Sequence, residues 1–369
     1  VGQFTAAIIL TISGITVYQQ LHYIQNKKLG YNREQVLYVP YYFRKIEENY
    51  TLIRSELMAH PQINKVALSL NLPIQTDNQG TEDRWEGNDD NRTIAFYRHY
   101  IDYHFLDLYE IELLKGRGFS NEHATDADQS YLLNEAAVSA IGWTPESALG
   151  KSFRNGQVIG VVKDFHFEPM DLRIEPMYMV LRNPEDPFID YGNISIKTST
   201  DDLDGTIAHI QKTFTDIAPD IPFEYHFLDE SYDHMYESEQ RLSRSFTLFT
   251  LLAIFIACIG LFGLISHTIV QRSKEIGIRK VLGASAQNIL HLLSKDFLRL
   301  IMIAVLIGIP LAWYLMDQWL QDFAYRISLS AWIFLLTGLT VLGFALITIS
   351  LQGFKVITTN PVESLIEKQ

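Results

Sequence analysis

The sequence predicts a membrane protein: an α-helical module of four spans, with a large α+β extracytoplasmic domain inserted between spans 1 and 2. The prediction depends on charge-free apolar runs, on their position at the two ends of the 369-residue chain, and on the long polar insert between them. The charge-free runs cover residues 1–26, 245–271, 300–316 and 327–354. Each is long enough for the roughly 17–25 residues that cross about 30 Å of hydrocarbon as a helix.

The first run forms a span and a short stalk at residues 1–26. A secretory signal peptide is the alternative, but no basic segment precedes the run and no small-x-small cleavage site follows it. The chain opens with Val1 already inside the run, so we expect the sequence to start partway through a longer protein.

Charge is concentrated in the insert. Residues 33–239 hold 37 acidic and 17 basic side chains, whereas the rest of the chain holds 6 acidic and 13 basic ones. The acidity therefore belongs to one soluble domain, predicted at residues 27–240. An acidic domain repels phosphate backbones, so we expect no nucleic-acid partner.

The short loops set the predicted orientation. The loop at 272–299 carries six basic residues and two acidic ones, whereas the loop at 317–326 carries one basic and two acidic. The positive-inside rule places the first loop in the cytoplasm and the second outside. The insert is then extracytoplasmic and the C-terminus cytoplasmic. Four basic residues at the outer ends of the helices oppose this orientation, but large domains translocate largely regardless of charge; they are Lys27, Lys28, Arg241 and Arg244.

Periodicity within the insert predicts mixed secondary structure. An amphipathic helix is expected at 45–61 and another at 201–219, with a loop rich in Asp, Asn and Gly at 75–91. From Glu230 a polar helical pattern continues into the second span, and an unbroken helix there would transmit force. A strand-like run ends at Pro40, and the other predicted strands are 63–70, 92–101, 131–134, 158–167, 177–181, 193–199 and 222–229.

No nucleotide-binding loop is present in the sequence. The stretch "ALGKS" at 148–152 resembles the end of one, but the required glycine five positions before Gly150 is Pro145, which has no backbone N–H for a phosphate. We therefore expect any energy source to lie in a partner protein.

The histidines and acidic residues of the insert do not form a recognisable catalytic set. Asp164 and His166 would share one face of a strand, with no third ligand in view, and His99 and His104 lie elsewhere. His267 lies near the cytoplasmic end of the second span, where it can simply face the interface. We expect no catalytic residues, no metal and no cofactor.

The stretch "QRSKEIGIRKVLGAS" at 271–285 is the strongest candidate for a functional site. As a helix it places Glu275 four residues before Arg279, the favourable order for an ion pair, and gives a narrow apolar side that includes Ile278. Glycine at 283 can end this helix, and Ser285 can cap an amphipathic elbow helix that leads into the third span. A solvated loop would explain the charges but not this layout.

This stretch resembles the cytoplasmic loop of FtsX-like permeases, the membrane subunits of ABC systems. "VIGVVKDFHFEPMDLRIEP" at 158–176 is similar to a run in the MacB-like periplasmic core domain, and "NPVESL" at 360–365 to the tail after the last span. The resemblance implies an FtsX-like permease domain at 241–369 and, because some members carry two modules in one chain, the C-terminal module of a duplicated permease.

The resemblance also implies partners and a site. In the family a short cytoplasmic helix docks on an ABC-type ATPase subunit, whose motion is passed to the outer domain by mechanotransmission. A second permease module, from the same chain or another copy, and a membrane-fusion or other extracytoplasmic protein are further expected partners beside the lipid bilayer. The implied docking residues are Lys274, Glu275, Ile276, Gly277, Ile278, Arg279, Lys280, Leu282 and Gly283.

The leading hypothesis is a non-catalytic permease subunit in a bacterial cytoplasmic (inner) membrane that exports or extracts an amphiphile such as a peptide, lipoprotein or antibiotic. The alternative is a regulator that passes ATPase motion to a cell-wall hydrolase without moving a substrate. Neighbouring genes would separate the two, because a membrane-fusion protein favours export and a peptidoglycan hydrolase favours regulation.

Overall fold

In a computed structural model the chain divides into two compact units, Lys27–Tyr236 and a second formed by Val1–Asn26 with Glu237–Gln369. The structure describes residues 1–182, 191–199, 201–272, 275, 278–279 and 286–358, with only the backbone at 286–293 and 352–358. The domain boundaries drawn from the sequence, at 26/27 and 240/241, stay predictions.

The unit 27–236 is built on one mixed sheet, which has eleven strands in the described part of the chain. The strands are β1 Val36–Tyr41, β2 Ile63–Ser69, β3 Gln79–Glu82, β4 Ile94–Ile101, β5 Leu113–Gly116, β6 Ser130–Asn134, β7 Ser152–Phe153, β8 Gly156–Val162, β9 Met177–Leu181, β10 Gly192–Thr198 and β11 His226–Phe227.

The order across the sheet is β11-β1-β10-β2-β4-β9-β6-β8-β5, with β3 paired to β4 and β7 paired to β8. Two pairs are parallel, β4 with β9 and β6 with β8, and the others are antiparallel. Strands β2 and β4 share only the Ser69–Ile101 pair, so these two neighbouring strands are joined by very few ladder contacts.

Short helices cover the sheet. They are α2 Arg44–Glu48, α3 Tyr50–Met58, α4 Phe105–Tyr109, α5 Asp126–Gln129, α6 Glu135–Ile141, α7 Pro145–Ala148, α8 Leu203–Ile217 and α9 Leu228–Met235.

Two apolar clusters are formed by described residues of this unit. One joins β1, β2 and β10 to α3 and α8, with Ile53, Ile196 and Ile210 fully buried. The other surrounds Phe96 and Phe153 and includes the face of α6. The pleat of each strand directs alternate side chains into these clusters.

Five sequence predictions that begin in this unit need correction. The loop expected at 75–91 contains β3, and the helix expected at 45–61 breaks at Asn49 into α2 and α3. The strand expected at 158–167 ends at Val162, so Asp164 and His166 follow the strand instead of sharing one of its faces.

The helix expected to run unbroken from Glu230 into the second span is also interrupted. Helix α9 ends at Met235, and Tyr236 leaves helical geometry with φ −106° and ψ 18°. The next helix begins at Glu237. The strand expected at 222–229 is reduced to β11, because α9 already begins at Leu228.

The other unit contains four described helices that are long and apolar enough to cross a membrane. They are α1 Gly2–Asn26, α10 Glu237–Gln271, α11 Ala286–Gln321 and α12 Ala331–Thr358. This set confirms the predicted fold class of four candidate spans with a mixed-sheet domain between the first and the second.

Helix α1 packs against the other three helices. Gly14 of α1 leaves only enough room for a methyl group, 3.6 Å from the Phe246 side chain of α10. Such small residues let membrane helices approach closely. By contrast, α10 exposes Phe255 and Ile259 by more than half, and its buried residues lie along one stripe. The exposed apolar sides fit contact with lipid.

The predicted spans and the observed helices differ at their ends. The expected elbow helix and third span form one helix, α11. The last helix begins at Ala331 rather than at residue 327, because the Ser330 hydroxyl caps it by accepting a hydrogen bond from the Trp332 amide at 3.3 Å.

We predict that the unit 27–236 loses stability as pH falls below about 6.5. His99 is fully buried, its Nδ1 lies 3.1 Å from the Thr76 hydroxyl, and burial lowers its pKa to about 3. The unfolded chain takes up a proton near pH 6.5 whereas the folded one does not. At pH 5 this difference costs about 2 kcal/mol relative to pH 7.

The measurement is hydrogen exchange of the β4 amides, converted to a free energy of opening at pH 7 and pH 5. His99→Gln, which cannot titrate, should lose about 2 kcal/mol less between the two values. An equal loss in the variant would contradict the assignment to His99, since other buried groups such as His166 would then account for it.

Candidate functional site

The predicted docking segment is helical at each of its described positions. Glu275, Ile278 and Arg279 lie on a helix, and Arg279 Nη2 is 2.8 Å from Glu275 Oε1. The i,i+4 ion pair expected from the sequence is therefore present. The other predicted docking residues lie outside the described part of the chain: Lys274, Ile276, Gly277, Lys280, Leu282 and Gly283.

These three side chains face solvent. Ile278 is 57% exposed, and the side chains of Glu275 and Arg279 are about half exposed. An exposed pair at this spacing contributes only about 0.3–0.5 kcal/mol to its helix. An apolar side chain beside exposed charges of both signs offers a surface for another protein. Such contact could replace the weak ion pair with little loss of helix stability.

An ion pair crosses the base of the segment. Arg272, directly after α10, donates to Asp296 of α11 at 3.0 Å, and both side chains are partly exposed. A single exposed pair is weak, so it contributes little to the stability of this region.

The stretch "ALGKS" does not form a phosphate cradle. Pro145 is the first residue of helix α7, which Thr144 caps through its hydroxyl, and Gly150 follows the helix instead of preceding it. A phosphate loop requires glycine-rich backbone ahead of a helix N-terminus. The observed order is the reverse.

The candidate acid–base residues are dispersed among structural roles. The Asp164 carboxylate accepts a hydrogen bond from the Ala136 amide at 3.0 Å, and the His104 main-chain amide donates to the Asp102 carboxylate at 3.0 Å. Burial lowers the pKa of His166 to about 4. Within the described ranges no three His, Cys, Asp or Glu side chains are placed to share a metal ion.

Sequence reasoning missed a second cluster, which lies inside the unit 27–236. Tyr236 is 4% exposed, and its hydroxyl accepts a hydrogen bond from the Met170 amide at 2.9 Å. Met170 belongs to the "VIGVVKDFHFEPMDLRIEP" stretch, so the resemblance pointed at this region without showing what it touches.

The C-terminal third of the chain matches a family model. Residues 247–361, which include most of α10, all of α11 and all of α12, match the FtsX-like permease C-terminal family. The fold places a large mixed-sheet domain between the first two of the four described candidate spans, and the matched region contains most of the second candidate span and all of the last two. Over residues 247–361 the chain is thus similar to FtsX-like permeases.

Similar proteins extend the comparison. The macrolide export ATP-binding/permease protein MacB of Aggregatibacter actinomycetemcomitans is 25% identical over 219 residues, 56% of this chain and 33% of MacB. The chain thus spans about a third of that relative's length.

Two solved structures are also similar. The periplasmic region of MacB from Actinobacillus actinomycetemcomitans has a TM-score of 0.37 at 16% identity, covering 56% of this chain and 94% of that one. The extracellular domain of the noncanonic ABC-type transporter YknZ from Gram-positive bacteria has a TM-score of 0.36 at 16% identity, covering 52% and 98%.

We predict that the purified protein holds no stoichiometric metal. In the described part of the unit 27–236, no three His, Cys, Asp or Glu side chains come together around one point. Elemental analysis after a chelator wash should give well under one transition-metal ion per chain. One ion per chain, retained through the wash, would contradict this prediction.

Proposed function

We propose that this chain is a non-catalytic permease subunit of an ABC complex, which couples ATP hydrolysis in a partner to movement of the unit 27–236. The observation that carries the proposal is the exposed helical surface of Glu275, Ile278 and Arg279, placed between two candidate spans within the FtsX-like permease region. The partner is a cytoplasmic ABC-type ATPase, and a second permease module completes the membrane part.

The transported molecule is proposed to be an amphiphile, such as a peptide, lipoprotein or hydrophobic antibiotic. The name of the MacB relative supports this class, because macrolides are large molecules of mixed polarity. A membrane-fusion or other extracytoplasmic protein would then receive the substrate.

The proposed orientation places the unit 27–236 outside a bacterial cytoplasmic membrane and the segment 272–299 inside. Its support is the charge difference between the two short loops, six basic residues in one and one in the other. With the described candidate spans in this order, the C-terminus lies on the cytoplasmic side.

We predict that labelling with an impermeant maleimide follows this orientation. In a Cys258→Ser background, Asp220→Cys should react in intact cells, because the Asp220 side chain is 91% exposed. Ile278→Cys should react only after the membrane is opened. Where an outer membrane exists, it is permeabilised first. The opposite labelling pattern would show that the real topology is the reverse of the proposed one.

We predict that Glu275→Arg combined with Arg279→Glu weakens ATPase binding by about thirtyfold or more. The swap keeps an i,i+4 pair, so helix stability should change by only about 0.2–0.5 kcal/mol. Charges facing a partner would be reversed, and unmatched interfacial charges cost about 2–5 kcal/mol. Co-purification with the ATPase and stimulation of ATP hydrolysis measure the effect.

The chain offers a matched control. Glu237 and Arg241 form another exposed i,i+4 pair, with Arg241 Nη2 2.6 Å from Glu237 Oε1, at the start of α10. The same swap there should leave ATPase binding unchanged. Wild-type binding by the 275/279 double variant would show that the segment is only a solvated loop.

A further inference from the structure

The two chain segments that join the unit 27–236 to the membrane helices meet each other inside that unit. The incoming segment is residues 27–33, which follow α1. The outgoing segment is α9 with Tyr236, which precedes α10. Although they lie at opposite ends of the unit's sequence, they are in direct contact.

The contact between the segments centres on Arg33. Its guanidinium carbon lies 4.0 Å from the centre of the Tyr232 ring, and its Nη1 lies 4.0 Å from the Asp233 carboxylate. Tyr232 is 3% exposed. A cation over an aromatic face is strongest where water is excluded, so this contact holds the two segments together.

Both segments also bind one loop, residues 163–176 between β8 and β9. The His166 amide donates to the Leu29 carbonyl of the incoming segment at 2.7 Å. The Met170 amide donates to the Tyr236 hydroxyl of the outgoing segment at 2.9 Å. Two bonds, four residues apart on one loop, thus hold the two segments.

The incoming segment lies directly on the main chain of this loop. Gly30 has φ +85°, and a Cβ there would lie 2.7 Å from the Asp164 carbonyl oxygen and 2.9 Å from Phe165 Cα. No other residue type fits without moving the loop or the segment.

The far side of the β8–β9 loop is anchored in the sheet. Phe165, Phe167 and Met170 are almost fully buried, and the Phe167 ring centre lies 5.0 Å from that of Tyr97 on β4. Because packed interiors transmit displacement instead of absorbing it, a shift of this loop must move the strands around it.

We propose that the β8–β9 loop is the element through which movement of α1 and α10 enters the sheet. Arg33 and Tyr232 clamp the two connecting segments to each other, and Tyr236 and the Leu29 carbonyl hold them to the loop. The inference builds on the proposed function, which supplies the movement. A pull on either segment is shared by both before it reaches the strands.

The first test needs no ATPase. In the full-length protein, Tyr236→Phe keeps the ring and removes the oxygen that accepts from the Met170 amide. Hydrogen exchange of that amide should become about threefold to tenfold faster. Arg33→Gln, which does not touch Met170, should also speed its exchange at least about twofold through Tyr232.

The control is Arg92→Gln, because the Arg92 guanidinium donates to the Ala140 carbonyl away from the clamp. It should leave exchange at Met170 unchanged. Wild-type protection of Met170 in both Tyr236→Phe and Arg33→Gln would overturn the clamp.

The second test uses the complex with its ATPase. A bimane fluorophore on Leu172→Cys, in a Cys258→Ser background, reports on the loop from a side chain that is 46% exposed. ATP should change its emission, and Tyr236→Phe or Arg33→Gln should at least halve that change while ATPase co-purification persists. A full response in both variants, or none in the parent, would overturn the inference.

A failure of the proposed function can be told apart from a failure of the clamp in the hydrogen-exchange and fluorescence tests. If no ATPase co-purifies with the parent chain, the coupling role is wrong, whereas the exchange measurement still decides whether the clamp joins the two segments.

Discussion

The absence of water in hydrocarbon is the constraint on which the architecture depends. Main-chain groups there must bond within their own segment, which a helix achieves alone and an open sheet cannot. The chain accordingly forms α10, α11 and α12 as helices of 35, 36 and 28 residues and confines its eleven described strands to the unit 27–236. Charged side chains follow the same division, because the solvation that is lost on entering lipid must be replaced or avoided.

This constraint explains why the spans could be predicted from composition while their ends could not. Missing charge marks the part of a helix that lipid surrounds, but helical hydrogen bonding continues into polar flanks, as at Glu237, where α10 begins eight residues before the apolar run. At the last span the opposite holds, since Ser330 starts the helix inside the run. Capping and composition are independent signals: composition indicates which residues lipid surrounds, whereas capping sets where the helix begins.

Tertiary contacts decided what sequence reasoning missed in the unit 27–236. Strand β3, "QGTE", has no apolar alternation and is ordered by main-chain pairing to β4. The break after α9 has no glycine or proline to announce it. There, Tyr236 turns its ring into the protein and receives the Met170 amide, 66 residues away in sequence. Sheet order is nonlocal in the same way, so a correct list of strands did not predict it.

The proposed coupling path contains one local interaction and one nonlocal interaction. The local one is exposed to solvent, whereas the nonlocal one lies against a buried ring. The Glu275–Arg279 ion pair follows from sequence spacing alone and is half exposed. A partner can therefore replace this pair with contacts of its own at little loss of helix stability. The contact between Arg33 and Tyr232 joins residues about two hundred positions apart and lies against a buried ring, where breaking it exposes apolar surface and strands a charge. A surface that must bind and release benefits from weak internal pairs. A junction that must carry displacement benefits from contacts that are costly to break. Substitutions at Arg33 and Tyr232 are therefore better suited than substitutions at Glu275 and Arg279 to removing coupling while the complex with the ATPase still assembles.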